Sequence, residues 1–273
     1  MTAPELERIG YRAALSVRCL DAVRETVVAD DVVATAWPAD DPSARLVASR
    51  SRVSGLLGFG VLPGFRELQF ARSTGGQPLE WPPDPPAKPY VIRVVDLRGR
   101  YLPVVLAVSA PVLEPVDIEL HSGPARGGQS GWALIRGEVH HSTTRAPLGW
   151  SVVTVTAGGP DYPVVSDDLG RFLLVIPYPE ALPPLAGSPP AGPGLSAMTW
   201  DLTVAVACEP STLTAAPGTD WDPIRGGTDP PELGSILGQA AARQEVGGGL
   251  AATSTAILTF GTPTVLTLSV QPS

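Results

Sequence analysis

The chain has 273 residues and a formal net charge of −8, and its 29 glycines and 31 prolines make up about a fifth of it, against a usual share of about 12%. Proline at this density excludes a protein of long helices, because each interior proline costs a helix about 3 kcal/mol, while an apolar share of 44% excludes disorder. The acidic balance and a single lysine, Lys88, exclude a phosphate-binding surface and with it nucleic acid as a partner.

Met1 to Gly10 is a polar, acidic arm with no basic stretch leading into an apolar one, so a signal peptide is not expected. No apolar run reaches the length that spans a bilayer, and the expected compartment is the cytoplasm, where the chain would be built into a particle. Short β-branched runs then follow, separated by Pro and Gly, the pattern of an all-β protein. Tyr11 to Leu20, Val32 to Trp37, Arg45 to Ser51 and Leu56 to Val61 read as strands, closed by the turn at Leu62, Pro63 and Gly64. Ser73 to Pro89 is a proline-rich loop around Trp81. Tyr90 to Asp96 and Tyr101 to Ser109 make a hairpin in which Gly99 is placed to take φ > 0. Val116 to His121 is the last strand before a glycine-rich boundary at 123–128.

The second half restarts the rhythm with strands Trp132 to His141, Trp150 to Thr156, Tyr162 to Ser166 and Arg171 to Ile176. Asp167, Asp168, Leu169 and Gly170 form the hairpin turn between the last two, with Gly170 as its left-handed residue. Pro177 to Gly194 is too rich in proline for regular structure, and Met198 to Cys208 is a strand. Helical character is confined to Pro231 to Gln244, where Leu233, Ile236 and Leu237 share a face. Ala256 to Thr259 and Thr264 to Val270 read as a closing hairpin around Gly261, Thr262 and Pro263. The expected architecture is all-β: two tandem β-sandwiches, 11–124 and 130–273, with one short helix. The second carries inserted loops at 177–197 and 210–250, long enough to read as contact surfaces for other chains.

Catalytic constellations are absent from the sequence. Ser130 misses the Gly-x-Ser-x-Gly pattern, because Trp132 takes the last place and a strand follows instead of a helix. His140 and His141 are adjacent in a strand and point to opposite faces, so they cannot share a metal; His121 lies across the boundary. Gly55 to Gly60 lacks dinucleotide spacing. Asp220, Asp222 and Asp229 lack the ligand order of a calcium loop and read as turn acids, calcium being the alternative. Cys19 and Cys208 read as two buried thiols, one disulfide between them being the alternative. No catalytic residue, cofactor or metal is therefore assigned. Trp81 and Trp221, on proline-rich loops, are the candidate contact residues: they would stack on a sugar, anchor in a partner's pocket, or fold back onto the home sandwich.

Gly137-Glu-Val139, Ala146-Pro-Leu-Gly-Trp-Ser-Val-Val-Thr-Val155, Val165-Ser-Asp-Asp-Leu-Gly-Arg-Phe172 and Ile176-Pro177 together resemble the carboxypeptidase regulatory-like (transthyretin-like) β-sandwich. Val32 to Trp37, Gly55 to Phe59 and Leu62 to Gly64 resemble it more loosely, with Arg52, Val53 and Ser54 where that family has an Asp. Tyr90-Val-Ile-Arg-Val-Val-Asp-Leu-Arg-Gly-Arg-Tyr-Leu-Pro103 and Phe260-Gly-Thr-Pro-Thr-Val-Leu266 resemble proteins with such domains from gene clusters of phage-tail-like contractile injection systems. The resemblance runs from about Tyr11 to Val270. It implies a non-catalytic structural subunit near baseplate, collar or cap, a homo-oligomer with other tail-like subunits as partners. A carbohydrate-binding or adhesive module using Trp81 and Trp221 is the alternative.

Overall fold

A computed structural model describes residues 8–73, 78, 81–83, 85–128, 130–179, 197–222 and 226–273. In chain order the strands of the first half are β1 (Arg8–Tyr11), β2 (Ser16–Asp21), β3 (Val32–Pro38), β4 (Leu46–Val47), β5 (Ser49–Arg50), β6 (Leu57–Gly58), β7 (Phe70–Ser73), β8 (Lys88–Asp96), β9 (Val104–Ala110) and β10 (Val116–Leu120). The second half adds β11 (Trp132–His141), β12 (Val152–Ala157), β13 (Asp161–Val165), β14 (Arg171–Pro177), β15 (Thr199–Ala207), a five-residue helix α1 (Leu233–Leu237), β16 (Arg243–Val246), β17 (Gly249–Ala251), β18 (Thr253–Thr259) and β19 (Thr264–Gln271).

The first sandwich pairs sheet β10-β2-β6-β5 with sheet β4-β3-β8-β9, and β1 and β7 form a separate ribbon. Alternation in the sequence fixes which face turns inward. Val17 and Cys19 of β2, Ala34 and Ala36 of β3, and Tyr90, Ile92 and Val94 of β8 all point into one core, which Phe59, Leu62, Phe65 and Ile118 complete. The chain turns from β8 to β9 at Gly99, whose φ is 66°. Asp96 braces that turn by accepting from the Arg100 amide (2.6 Å) and guanidinium (2.8 Å).

The second sandwich pairs sheet β14-β11-β19-β16-β17 with sheet β13-β12-β15-β18. Val153 and Val155 of β12, Val204 and Val206 of β15, and Phe172, Leu174 and Ile176 of β14 fill its core. Gly137 has a specific role here. A Cβ at that position would lie 2.5 Å from the Leu266 carbonyl oxygen and 2.6 Å from the Phe172 ring, so glycine lets the ring close over β11. At the β13–β14 turn, Gly170 takes φ 73°. The Asp167 carboxylate accepts from the amides of Leu169 (3.0 Å) and Arg171 (2.8 Å), which closes an Asx-type turn. Asp168 beside it is exposed, and its carbonyl packs where a Cβ on Gly149 would stand 2.5 Å away.

Three expectations change. The closing pair is not a hairpin: β18 lies in one sheet, while β19 crosses to the other and runs parallel to β11. The tail of the expected helix is strand, since the helix stops at Leu237 and β16 begins at Arg243. Residues 210–250 are not one inserted loop: Ala216 packs on the first sandwich, α1 follows, and β16 and β17 join a sheet of the second sandwich. Most of the 177–197 loop lies outside the described residues.

Candidate functional site

The seam between the sandwiches holds several buried polar and aromatic side chains, among them Asp21, His121 and Trp221, and two segments build it. One is the stretch after β15, described at 209–222 and 226–232, which runs as a strap over the outer face of sheet β4-β3-β8-β9. Trp37 is wholly buried beneath it with Val91, Val105 and Ala216. Its indole N–H donates to the Pro217 carbonyl at 2.8 Å. Arg45 stacks 4.4 Å above the Trp37 ring and donates to the Gly218 carbonyl at 2.7 Å. Further along, Asp229 pairs with Arg93 of β8. Glu232 accepts from the Ala107 amide of β9 (3.3 Å) with one carboxylate oxygen and from the Ser235 amide (3.1 Å) with the other, capping α1. Its backbone also bridges to Val105. The strap thus covers the open edge of β9, which a sandwich would otherwise leave exposed.

The second segment is the linker after β10. Arg126 donates to Asp21 at 2.5 Å, and the Tyr101 hydroxyl donates to the same carboxylate at 2.8 Å. Burial opposes ionisation of Asp21, but the Tyr101 bond and the nearby Arg126 outweigh it and hold its pKa below the usual range. The same burial, with Asp21 adjacent, pushes the Tyr101 hydroxyl up to about 12. Across the seam Arg24 stacks 4.8 Å from Trp132. His121 is 4% exposed, with its ring beside Pro163 of β13. Burial pushes it down to about 4, so it stays neutral at ordinary pH, and its Nδ1 has no hydrogen-bond partner.

Between these segments Leu102, Val165, Leu213, Trp221 and Ile236 form an apolar cluster joined by Trp150 and Val152. The cavity against His121 there is only about 10 Å³, room for about one water molecule. Trp150 adopts a left-handed φ of 60°, rare for a bulky residue. Its amide is held by the Asp167 carbonyl (3.1 Å) and its own carbonyl accepts from Gln239 (2.7 Å), so both neighbours fix the turn.

The candidate contact residues fall into different surroundings. Trp221 is 9% exposed and belongs to the seam cluster, so its ring packs within the chain and is not presented to a sugar or a partner. Trp81 is half-buried, with the Arg12 guanidinium 4.7 Å from its ring. Gly99, Asp167, Asp168 and Gly170 sit in the two turns already described. The Asp220 carboxylate accepts from the hydroxyl and amide of Thr228 and the amide of Asp229, which lowers it to about 2. With Asp229 paired to Arg93, these acids organise the strap; among the described residues no three His, Cys, Asp or Glu side chains gather as a metal site. His140 bonds Glu138, whereas the His141 ring accepts from Thr143 and Thr144. Cys19 and Cys208 are free thiols in the two separate cores. Ser130 is exposed in the linker. No described helix is long and apolar enough to cross a membrane.

Sequence reading missed Trp37, Trp150, Arg93 and His121 as seam residues.

No family model matches the chain, and no curated protein matches it. Among solved structures it is similar to the shaft pilin SpaA of Lactobacillus rhamnosus GG, at 9% identity and TM-score 0.24 over 99% of both chains. A streptococcal ancillary pilin aligns at 12% identity and TM-score 0.22, over 98% of this chain and 63% of that one. A putative adhesin from Bacteroides ovatus aligns at 10% identity and TM-score 0.16, over 75% and 73%. Scores this low carry no inference about function.

Proposed function

We propose that this chain is a structural, non-catalytic subunit of a large protein assembly, and that the assembly is a phage-tail-like contractile injection particle, with the chain near its baseplate, collar or cap. The observation that supports this reading is the strap. Trp37, Arg45, Arg93 and the edge of β9 are all engaged by residues 209–232, so the two sandwiches are held as one body. A unit without an internal hinge keeps a fixed spacing between neighbours, which suits a part of a larger frame. An adhesive site built on loop tryptophans loses Trp221 to the seam. The contractile context itself rests on the sequence resemblance.

The test is affinity purification of a tagged chain from the cells that make it, with electron microscopy of the eluate. Sheath, tube and baseplate subunits should elute with it in fixed ratios. Recovery of the chain alone, from cells that visibly contain particles, overturns the reading.

A further inference from the structure

We propose that the outer edge of β18 pairs antiparallel with β18 of a second copy, joining two molecules through one continuous sheet. This deepens the assembly reading and rests on it, by naming the strand and the partner.

An open strand edge is a template for another strand unless something blocks it, and natural edges carry recognisable blocks. Among the described residues the other edges of the four larger sheets all have one, and the strands of the β1-β7 ribbon are only four residues long. β4 and β5 are two residues long, and β17 is three. β9 is covered by the strap through Val105 and Glu232. β10 carries Asp117 and Glu119, and β14 carries Arg171 and ends at Pro177. β13 contains Asp161 and Pro163. β18 is the exception. It is seven residues long, reads Thr-Ser-Thr-Ala-Ile-Leu-Thr, and has neither charge nor proline. It ends its sheet, pairing on its inner side with β15; no described strand pairs with its outer side, where the Ile257 carbonyl accepts only a long bond from the Thr264 hydroxyl (3.5 Å). Charge is absent well beyond the strand, since no charged residue follows Glu245 in the chain.

The second copy is the occupant this strand fits, because it is complementary to itself. A twofold axis at Ala256 sets Thr255 against the copy's Ile257 and Thr253 against its Thr259. These are β-branched pairs on one face, with no like charges opposed. That face is open: Thr253 and Thr255 are exposed, and Ile257 is 62% exposed. On the other face the pairing brings Ser254 beside Leu258, which seals the core margin next to Leu258. The nearest charged residue on the open face is Asp201, opposite Ile257 on β15. Its counterpart in the copy lies three strand spacings away, about 14 Å, beyond the Debye length at physiological salt. The molecules repel through their net charge of −8, so added salt should tighten the pair.

Sedimentation velocity of the full chain from about 1 to about 100 μM tests this. A reversible dimer is expected, tighter at higher salt. Ile257→Lys and, separately, Thr255→Lys should each weaken it about tenfold or more, with the melting temperature unchanged. Both side chains are exposed, so if one variant melts early the other decides. Val265→Lys, at a 70% exposed position on the other sheet, should leave the dimer intact. A strict monomer at the highest concentration overturns the proposal, as does a dimer that both lysine variants leave untouched. A monomer that still enters particles fails this proposal and spares the assembly reading, whereas a β18 dimer that never enters one does the reverse.

Discussion

Replacing Gly218 with alanine, alongside the same change at Gly99, separates the strap's packing from its backbone conformation. Both glycines are left-handed, with φ of 79° and 66°. An L-residue there costs about 1–2 kcal/mol, partly offset by about 0.4–1 kcal/mol from a stiffer unfolded chain, so each variant loses about 1 kcal/mol from backbone alone. Their surroundings differ. A methyl at Gly99 meets nothing within 4 Å, whereas at Gly218 it would lie 2.5 Å from Pro42 Cβ and 2.9 Å from Trp37 Nε1. The strap must lift to make room, loosening the Trp37 bond to Pro217 and adding about 1–3 kcal/mol of overpacking cost. Gly218→Ala should therefore lose about 2–4 kcal/mol in total, against about 1 kcal/mol for Gly99→Ala. Urea denaturation followed by tryptophan fluorescence measures both, and hydrogen exchange across 209–232 reports the lifting. Equal losses in the two variants, with strap exchange unchanged, refute the claim that this segment is tightly packed on the first sandwich.

Other predictions concern the seam. His121 titrates at about 4 in the folded chain because burial disfavours its charged form, and the unfolded chain takes up the proton first, near 6.5. Stability should thus be full above about pH 6.5 and fall by up to about 3 kcal/mol as pH drops towards 4, and His121→Phe should flatten urea midpoints over that window. Asp21, whose pKa is lowered, adds its own loss only below about pH 4, as its carboxylate is protonated. Arg126→Ala strands the 2% exposed Asp21 and should cost about 3 kcal/mol in the same assay, whereas Arg18→Ala, which breaks the solvent-exposed pair with Asp117, should leave the urea midpoint nearly unchanged. Trp221→Ala opens the seam cluster and should cost about 3–5 kcal/mol, while Trp81→Ala, half-buried against Arg12, should cost about 1 kcal/mol. A comparable loss from the two tryptophans would contradict their assigned surroundings.

What the residues revealed in advance follows from the range of the forces involved. β11 can be read end to end, because Ala133, Ile135 and Val139 alternate with less buried neighbours and alternation is a local property. The turns at Gly99 and Gly170 were equally legible, since each is built from residues within a few positions of the glycine. The strap was not. Its partners Trp37, Arg45 and Arg93 lie more than 100 residues earlier, and its Pro and Gly content gives the same local signal whether it docks on its own chain or on another. For the same reason the sequence leaves Trp221 open between a contact residue and one folded back onto its own chain, and the structure packs it within the chain. The expected helix runs two residues into β16 because Ala240 to Ala242 favour helix locally, whereas Gln244 turns inward to bond the Val204 carbonyl at 2.8 Å. β18 and β19 looked like partners because a Gly-Thr-Pro turn joins them, and a turn does not record whether the chain stays in one sheet.

The proposed role is tested most directly by gradient sedimentation of lysate from cells that carry the neighbouring genes, with the chain detected by antibody. The chain should travel with the multi-megadalton particle fraction, and its deletion should leave particles incomplete or absent. A chain that stays with the small soluble proteins while intact particles form without it would contradict the account.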